Sequence, residues 1–199
     1  MIPDCTALLF AGGDSRRMGR DKLSLPIGGQ SLFQRTFDLL RPLFSSILVS
    51  VQHPRNDIDA PQVCDEIPGV GPLAGLCAGL QHSTTSWVFA MAVDMPYLMP
   101  EVIERLAERR AGHQAVVPII NGQPHPLTAF YAVSALPALR GVLARPGKPG
   151  LLKAFPELDV CHVTERDLVD LDKEFLSFID LDTPEDAERA HRHFGNRTP

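Results

Sequence analysis

The 199-residue chain has four cysteines but no Cys-x-x-Cys pair, so the usual spacing of a zinc site or a dithiol redox motif is missing. Cys5, Cys64, Cys77 and Cys161 stand far apart, three of them inside apolar segments, and read as buried free thiols rather than nucleophiles. The seven histidines also lack metal-ligand spacing. His191 and His193, two apart on an expected terminal helix, face different directions and read as solvated. No apolar run approaches the ~18 residues of a membrane span, and no basic segment followed by an apolar run opens the chain, so a soluble, cytoplasmic protein is expected. Lysine and arginine form no long block and the net charge is −5, which argues against nucleic acid as a partner. Repeats and low-complexity tracts are missing too, and the length suits one α/β domain over residues 1–199.

What is present is a regular alternation of strand and helix patterns. Residues 5–10 and 87–93 read as buried strands, 46–51 alternates like a strand, and 115–120 with 128–133 read as a strand pair around the turn Asn121-Gly-Gln-Pro124. Residues 160–163 and 178–181 complete the strands. A short extended piece is expected at 23–27, ending at Gly28-Gly29. Helices are expected over 31–43, with Ser31 as N-cap, over 72–80 and over 100–110. A short helix follows the Pro/Gly-rich loop at 145–150, and Thr183-Pro-Glu-Asp186 opens a last helix that runs to about 194. Gly75 and Gly79 are spaced to let another element approach one face of the second helix. Such alternation predicts a mostly parallel sheet with helices on both faces, which binds ligands outside the carboxyl ends of its strands.

One of those ends carries the densest chemistry. Residues 8–22, Leu-Leu-Phe-Ala-Gly-Gly-Asp-Ser-Arg-Arg-Met-Gly-Arg-Asp-Lys, run an apolar strand into a loop with two adjacent glycines and a cluster of cations. Gly12 and Gly13 let backbone N–H groups approach phosphate oxygens, and Arg16, Arg17, Arg20 and Lys22 supply neutralising charge. The Walker spacing fails, because five residues separate Gly13 from Gly19 and Lys22 stands three further on. The dinucleotide fingerprint fails as well, since the glycines are adjacent and the following stretch is too basic. A nucleotidyltransferase loop that grips a nucleoside triphosphate remains.

Asp94 follows the apolar run 87–93 and precedes Met95-Pro96, which puts a carboxylate where a buried strand emerges at the ligand edge. Magnesium on a triphosphate keeps most of its waters and takes one or two protein carboxylates, so a single such Asp suffices. Asp180 and Asp182 fall two apart on the expected strand at 178–181 and just beyond it, on one face, where either approaches the same metal. Asp182 also lies next to a helix N-cap, a local structural reason for an acid there. Asp65, after the apolar pair Val63-Cys64, offers an acceptor for the paired N–H donors of guanine or serves as a plain surface acid. His125 before Pro126 offers a donor to an anionic second substrate.

The string at residues 8–22 resembles the Leu-Ala-Gly-Gly-x-Ser-x-Arg-Met-Gly-x-Asp-Lys signature of the molybdenum cofactor guanylyltransferases, with Phe10 in place of leucine. Gly71-Pro-Leu-Ala-Gly75, Asp94-Met-Pro96, His125-Pro126 and Asp182-Thr-Pro-Glu-Asp186 follow in that family's order. The resemblance implies a Rossmann-like three-layer α/β/α nucleotidyltransferase fold with a mostly parallel sheet. It also implies transfer of GMP from GTP to molybdenum-molybdopterin with release of pyrophosphate, with molybdoenzyme-maturation proteins as further partners. Carried over by residue, the nucleotide site comprises Phe10, Ala11, Gly12, Gly13, Lys22, Ser50, Asp65 and Asp94, with Arg17 and Lys22 on the triphosphate and magnesium (Mg2+) on Asp94. Two departures stand out. Acids occupy 180 and 182 where the family often shows asparagine, and Gly147-Lys-Pro-Gly150 lacks an arginine often found in that loop. The Asp-x-Asp ending leans toward the related CTP-dependent cytidylyltransferases, whereas Gly12-Gly13 leans back toward GTP. A sugar-phosphate-type nucleotidyltransferase and a non-catalytic adaptor that hands on the cofactor are the more distant readings.

Overall fold

The computed structural model describes residues 1–12, 21–65, 70–147 and 149–195. In chain order the strands are β1 (Cys5–Phe10), β2 (Pro26–Ile27), β3 (Gln30–Ser31), β4 (Ser46–Val51), β5 (Gln62–Cys64), β6 (Trp87–Ala92), β7 (Ala115–Ile120), β8 (Gln123–Pro124), β9 (Thr128–Ala132) and β10 (Val160–Thr164). The α-helices are α1 (Leu32–Leu40), α2 (Pro72–His82), α3 (Pro100–Ala107), α4 (Leu136–Leu143), α5 (Glu165–Leu168) and α6 (Pro184–Gly195).

Among the described residues the main sheet has eight strands in the order β10-β7-β9-β6-β1-β4-β5, with β8 paired to β7. Parallel pairing joins β5, β4, β1 and β6, and also β10 and β7, while β9 runs against both of its neighbours. The expected pair at 115–120 and 128–133 therefore forms, antiparallel, with Ala115 opposite Tyr131. Its connection adds a small hairpin: Asn121 and Gly122 both take positive φ (51° and 71°), the backbone of a two-residue turn whose twist matches the strands it joins.

Side chains on the central strands alternate between two cores, as a sheet covered on both faces requires. Ala7, Leu9, Phe89 and Met91 point into one core with Leu32 and Leu40 of α1 and Val102, Ile103 and Leu106 of α3. Leu8, Val88 and Ala90 point into the other with Leu73, Leu76 and Leu80 of α2 and Leu139 and Val142 of α4. This is the expected three-layer arrangement. α2 lies close on the sheet because Gly79 faces the Leu8 side chain, and a Cβ there would overlap it.

Local signals set the helix starts. Ser31 accepts from the Gln34 N–H at 3.1 Å, and Thr183 and Asp186 bond reciprocally at the head of α6. α1 stops at Leu40 rather than 43, with a turn completing the segment. The segment at 23–27 divides into a 3-10 turn, Lys22–Ser24, and β2, which pairs with β3. The expected strand at 178–181 does not form. Phe175 takes a left-handed backbone and the Asp172 carboxylate accepts from the N–H groups of Leu176 and Ser177, which closes a 3-10 turn over Leu176–Phe178. Among the described residues no helix is long and apolar enough to cross a membrane.

The thiols and imidazoles divide differently from expectation. Cys5 and Cys77 are buried, but Cys64 is exposed on the edge strand and Cys161 is half-buried. His193 is not simply solvated, for its ring meets Tyr97 and Phe194 edge-on.

Candidate active site

Because β1, β4, β5 and β6 run parallel, their carboxyl ends open on one edge, and there a cleft of about 210 Å³ lies between the β1 and β4 ends and the start of α2. Phe10, Ala11, Gly12, Lys22, Ser50, Asp65 and Asp94 all line it. Gly13 and Arg17 lie outside the described residues. Ladder bonds continue past the strand ends and fix the rim: Ala11 N–H donates to the Ser50 carbonyl at 2.9 Å, and Val93 N–H to the Phe10 carbonyl at 3.1 Å.

Lys22 reaches into this edge and meets two carboxylates. Its Nζ lies 2.9 Å from Asp94 Oδ2 and 3.2 Å from Asp182 Oδ1. Burial opposes the ammonium charge, but the hydrogen bonds and charges of Asp94 and Asp182 outweigh it and raise the Lys22 pKa above the ordinary lysine value. Asp182 arrives here without a strand beneath it, carried by the bond from the Leu181 N–H to the Asp94 carbonyl at 2.9 Å. Asp180 lies near enough to feel both acids. Burial first, then the charges of Asp182 and Asp94, push its pKa upward, against a smaller opposing pull from its own backbone and Lys22. Lys22, Asp94 and Asp182 thus meet, with Asp180 within reach of their charges, and they do so through a loop and not along a strand face.

Asp65 stands across the cleft at the end of β5. Burial alone raises its pKa, and no group among the described residues donates a hydrogen bond to it. Gly75 of α2 makes room for this arrangement, since a Cβ there would fall 2.5 Å from Ser50 Oγ, 2.8 Å from Phe10 Cε1 and 3.0 Å from Asp65 Oδ1.

His125 sits outside the cleft lining, two residues from Leu127, which belongs to it. Its ring packs on Phe178 with centroids 5.0 Å apart, and burial lowers its pKa, which favours the neutral imidazole. The fully buried Tyr131 donates its hydroxyl to the Pro126 carbonyl at 2.8 Å and pins this turn.

Residues 7–160 match the family described as the MobA-like NTP transferase domain. The chain belongs to that family. It is a nucleotidyltransferase, and the relatives named below match nearly all of it. A protein of Chloroflexus aggregans called a probable molybdenum cofactor guanylyltransferase is 34% identical over 198 residues, covering 96% of this chain and 95% of its own. A molybdenum cofactor guanylyltransferase of Yersinia pseudotuberculosis is 31% identical over 193 residues, covering 94% and 95%. The crystal structure of molybdopterin-guanine dinucleotide biosynthesis protein A from Archaeoglobus fulgidus superposes with a TM-score of 0.84 at 28% identity, covering 96% of this chain and 99% of that one. The 2-C-methyl-D-erythritol 4-phosphate cytidylyltransferase of Thermus thermophilus shares the fold, with a TM-score of 0.65 at 16% identity.

The donor set at Lys22 also suits a divalent cation. Among the described residues no group of three or more His, Cys, Asp or Glu is placed to cage a metal. Asp94 and Asp182 nevertheless bring two hard oxygen donors to a single positive charge, the number of carboxylates that magnesium takes when phosphates and water complete its shell.

Leu23, Val51, Gln52, Ala92, Val93 and Leu127 also line the cleft although no site signal in the sequence marks them, and the contacts of Asp21, another lining residue, are equally unannounced. Gln52 Nε2 lies 3.4 Å from the Gly12 carbonyl. Nothing local in the sequence marks Gln52, whereas Leu127 directly follows His125-Pro126.

Proposed function

We propose that this nucleotidyltransferase joins GMP from GTP to the terminal phosphate of molybdenum-bearing molybdopterin, forming the guanine dinucleotide and releasing pyrophosphate. The observation that carries this reading is Asp65: a half-buried carboxylate in the cleft, without a donor among the described residues, matches the N1–H and exocyclic amine that guanine presents side by side. The guanylyltransferase names of relatives more than 30% identical over nearly the whole chain support it independently.

In this reading Phe10, Ala11, Gly12 and Ser50 form the wall against the nucleoside, while Gly13 and Arg17, which the family signature assigns to the phosphates, lie outside the described residues. A pterin phosphate oxygen attacks the α-phosphorus, the bridging P–O bond to the β-phosphate breaks, and its electron pair leaves with pyrophosphate. The attacking oxygen is already an anion at neutral pH, so the chain supplies position and charge rather than a strong base. Lys22 exchanges its carboxylate partners for phosphate oxygens and neutralises charge that grows on them in the transition state. Asp94, with Asp182 beside it, would hold magnesium, which when bound supplies further neutralisation at the phosphates, and Asp180 adds its charge nearby. His125, neutral, donates an N–H to the anionic second substrate. The product then passes in the cytoplasm to the proteins that mature molybdoenzymes.

The test is pyrophosphate release by purified protein with magnesium, molybdenum-molybdopterin and either GTP or CTP, with the dinucleotide identified by mass. Release with GTP is expected. Release with CTP alone assigns the cytidylyl reaction instead, and no release with any nucleotide favours a cofactor-handing adaptor.

A further inference from the structure

Arg55 lies on the loop between β4 and β5, outside the cleft lining, yet it connects to the cleft through one contact. Its Nη2 donates to Asp21 Oδ2, across 34 residues of sequence. The other oxygen of Asp21, Oδ1, accepts from the Leu23 N–H at 3.1 Å and so caps the short turn Lys22–Ser24. That turn carries Lys22, whose Nζ reaches Asp94.

The guanidinium is itself held. Nε and Nη2 grip the Asp57 carboxylate at 3.0 and 2.7 Å, a two-point contact that fixes the plane of the fork. Its backbone is clamped as well. Gln62 on β5 accepts from the Arg55 N–H at 2.8 Å and donates its amide to the Arg55 carbonyl at 2.7 Å. A rigid line of contacts thus runs from the sheet edge through Gln62, Arg55 and Asp21 to the backbone of Lys22.

We infer that Arg55 is a positioning residue for Lys22, setting through Asp21 the place where the ammonium meets the phosphates. The inference rests on the assignment of Lys22 to a triphosphate made above. Lysine at 55 lacks the planar fork and cannot hold Asp57 and Asp21 together in the same way.

The experiment is a double-mutant cycle on Arg55→Gln and Lys22→Ala, read as affinity for inorganic tripolyphosphate with magnesium by calorimetry. This probe has no base and reports the phosphate side alone. Arg55→Gln should weaken binding about tenfold, the scale of one charge-assisted hydrogen bond, and the double variant should bind no more weakly than Lys22→Ala. Asp21→Asn, which removes the same contact from the other side, should reproduce the pattern and serves if Arg55→Gln does not fold. Losses that multiply in the double variant, or an Arg55→Gln protein that binds like wild type, overturn the role of Arg55. Wild-type protein that binds no tripolyphosphate overturns the assignment of Lys22 itself, and the inference with it.

Discussion

Lys22 Nζ lies 2.9 Å from Asp94 Oδ2, although 72 residues of chain separate them. The lysine follows the glycine-rich stretch after β1 in the sequence and the acid stands two residues past β6, and these two strands are parallel neighbours in the middle of the sheet. One cation and one carboxylate from adjacent strand ends therefore share a point, with Asp182 completing it from just before the last helix. The exchange of those carboxylates for phosphate oxygens and a metal ion is the step on which the proposed activity depends.

Asp94→Asn keeps the shape of the side chain and removes its charge. Turnover with GTP should fall on the order of a hundredfold or more, the scale seen when a preorganised electrostatic group is lost. Raising magnesium should recover little of it. Steady-state pyrophosphate release over a magnesium series checks this, and near-normal turnover would remove Asp94 from the chemistry.

Asp65→Asn should trade function against stability. Burial raises the Asp65 pKa above its unfolded value, so the folded state holds the proton more readily. The stability linked to that proton is present below the unfolded carboxylate pKa, about 4, and is lost as pH rises through the folded value. At neutral pH the amide variant should therefore melt higher than wild type, and the difference should close on acidification to about pH 4. Its preference for GTP over CTP should fall at least tenfold, because an amide offers the two guanine donors one acceptor and one clashing donor. Melting curves at several pH values and competitive binding read the two effects separately.

Gly75→Ala and Gly79→Ala, one turn apart on α2, should differ in kind. At 75 the added methyl meets Ser50, Phe10 and Asp65, whereas at 79 its three nearest atoms all belong to Leu8 in the core. Both should cost about 1–3 kcal/mol of stability by overpacking, measured from urea midpoints. Only Gly75→Ala should also weaken GTP binding in calorimetry.

Tyr131→Phe removes the hydroxyl bonded to the Pro126 carbonyl and nothing else. A loss of about 1 kcal/mol is expected in urea unfolding. The freed 125–127 turn should raise the KM for the pterin substrate and leave the KM for GTP unchanged, which steady-state kinetics with each substrate varied in turn will show.

Much of this architecture is legible in the chain because local signals and tertiary outcome agree. The run Trp87-Val-Phe-Ala-Met-Ala-Val93 is apolar on both faces and is followed by an acid, which marks a central strand and its ligand edge at once. Ser31 and Thr183 carry their helix starts in their own side chains. Where reading failed, contacts distant in sequence or too short to show a period decided the structure. β5 spans three residues, Gln62–Cys64, too few for alternation to register, and it exists by pairing with β4. The stretch Phe178-Ile-Asp-Leu181 looks like a strand in isolation, but the Asp172 carboxylate captures the N–H groups just before it. α5 had a readable start in Thr164 and Asp167, three apart, which form a capping box in the fold. No local pattern joins Arg55 to Asp21, since their meeting depends on how far the β4–β5 loop reaches over the sheet edge.

The most direct test of the whole account is calorimetric titration of the wild-type protein with GTP and with CTP, each with magnesium. One GTP bound per chain, at least tenfold more tightly than CTP and lost in both Lys22→Ala and Asp94→Asn, is the predicted result. Tighter binding of CTP, or GTP binding that survives both substitutions, would contradict it.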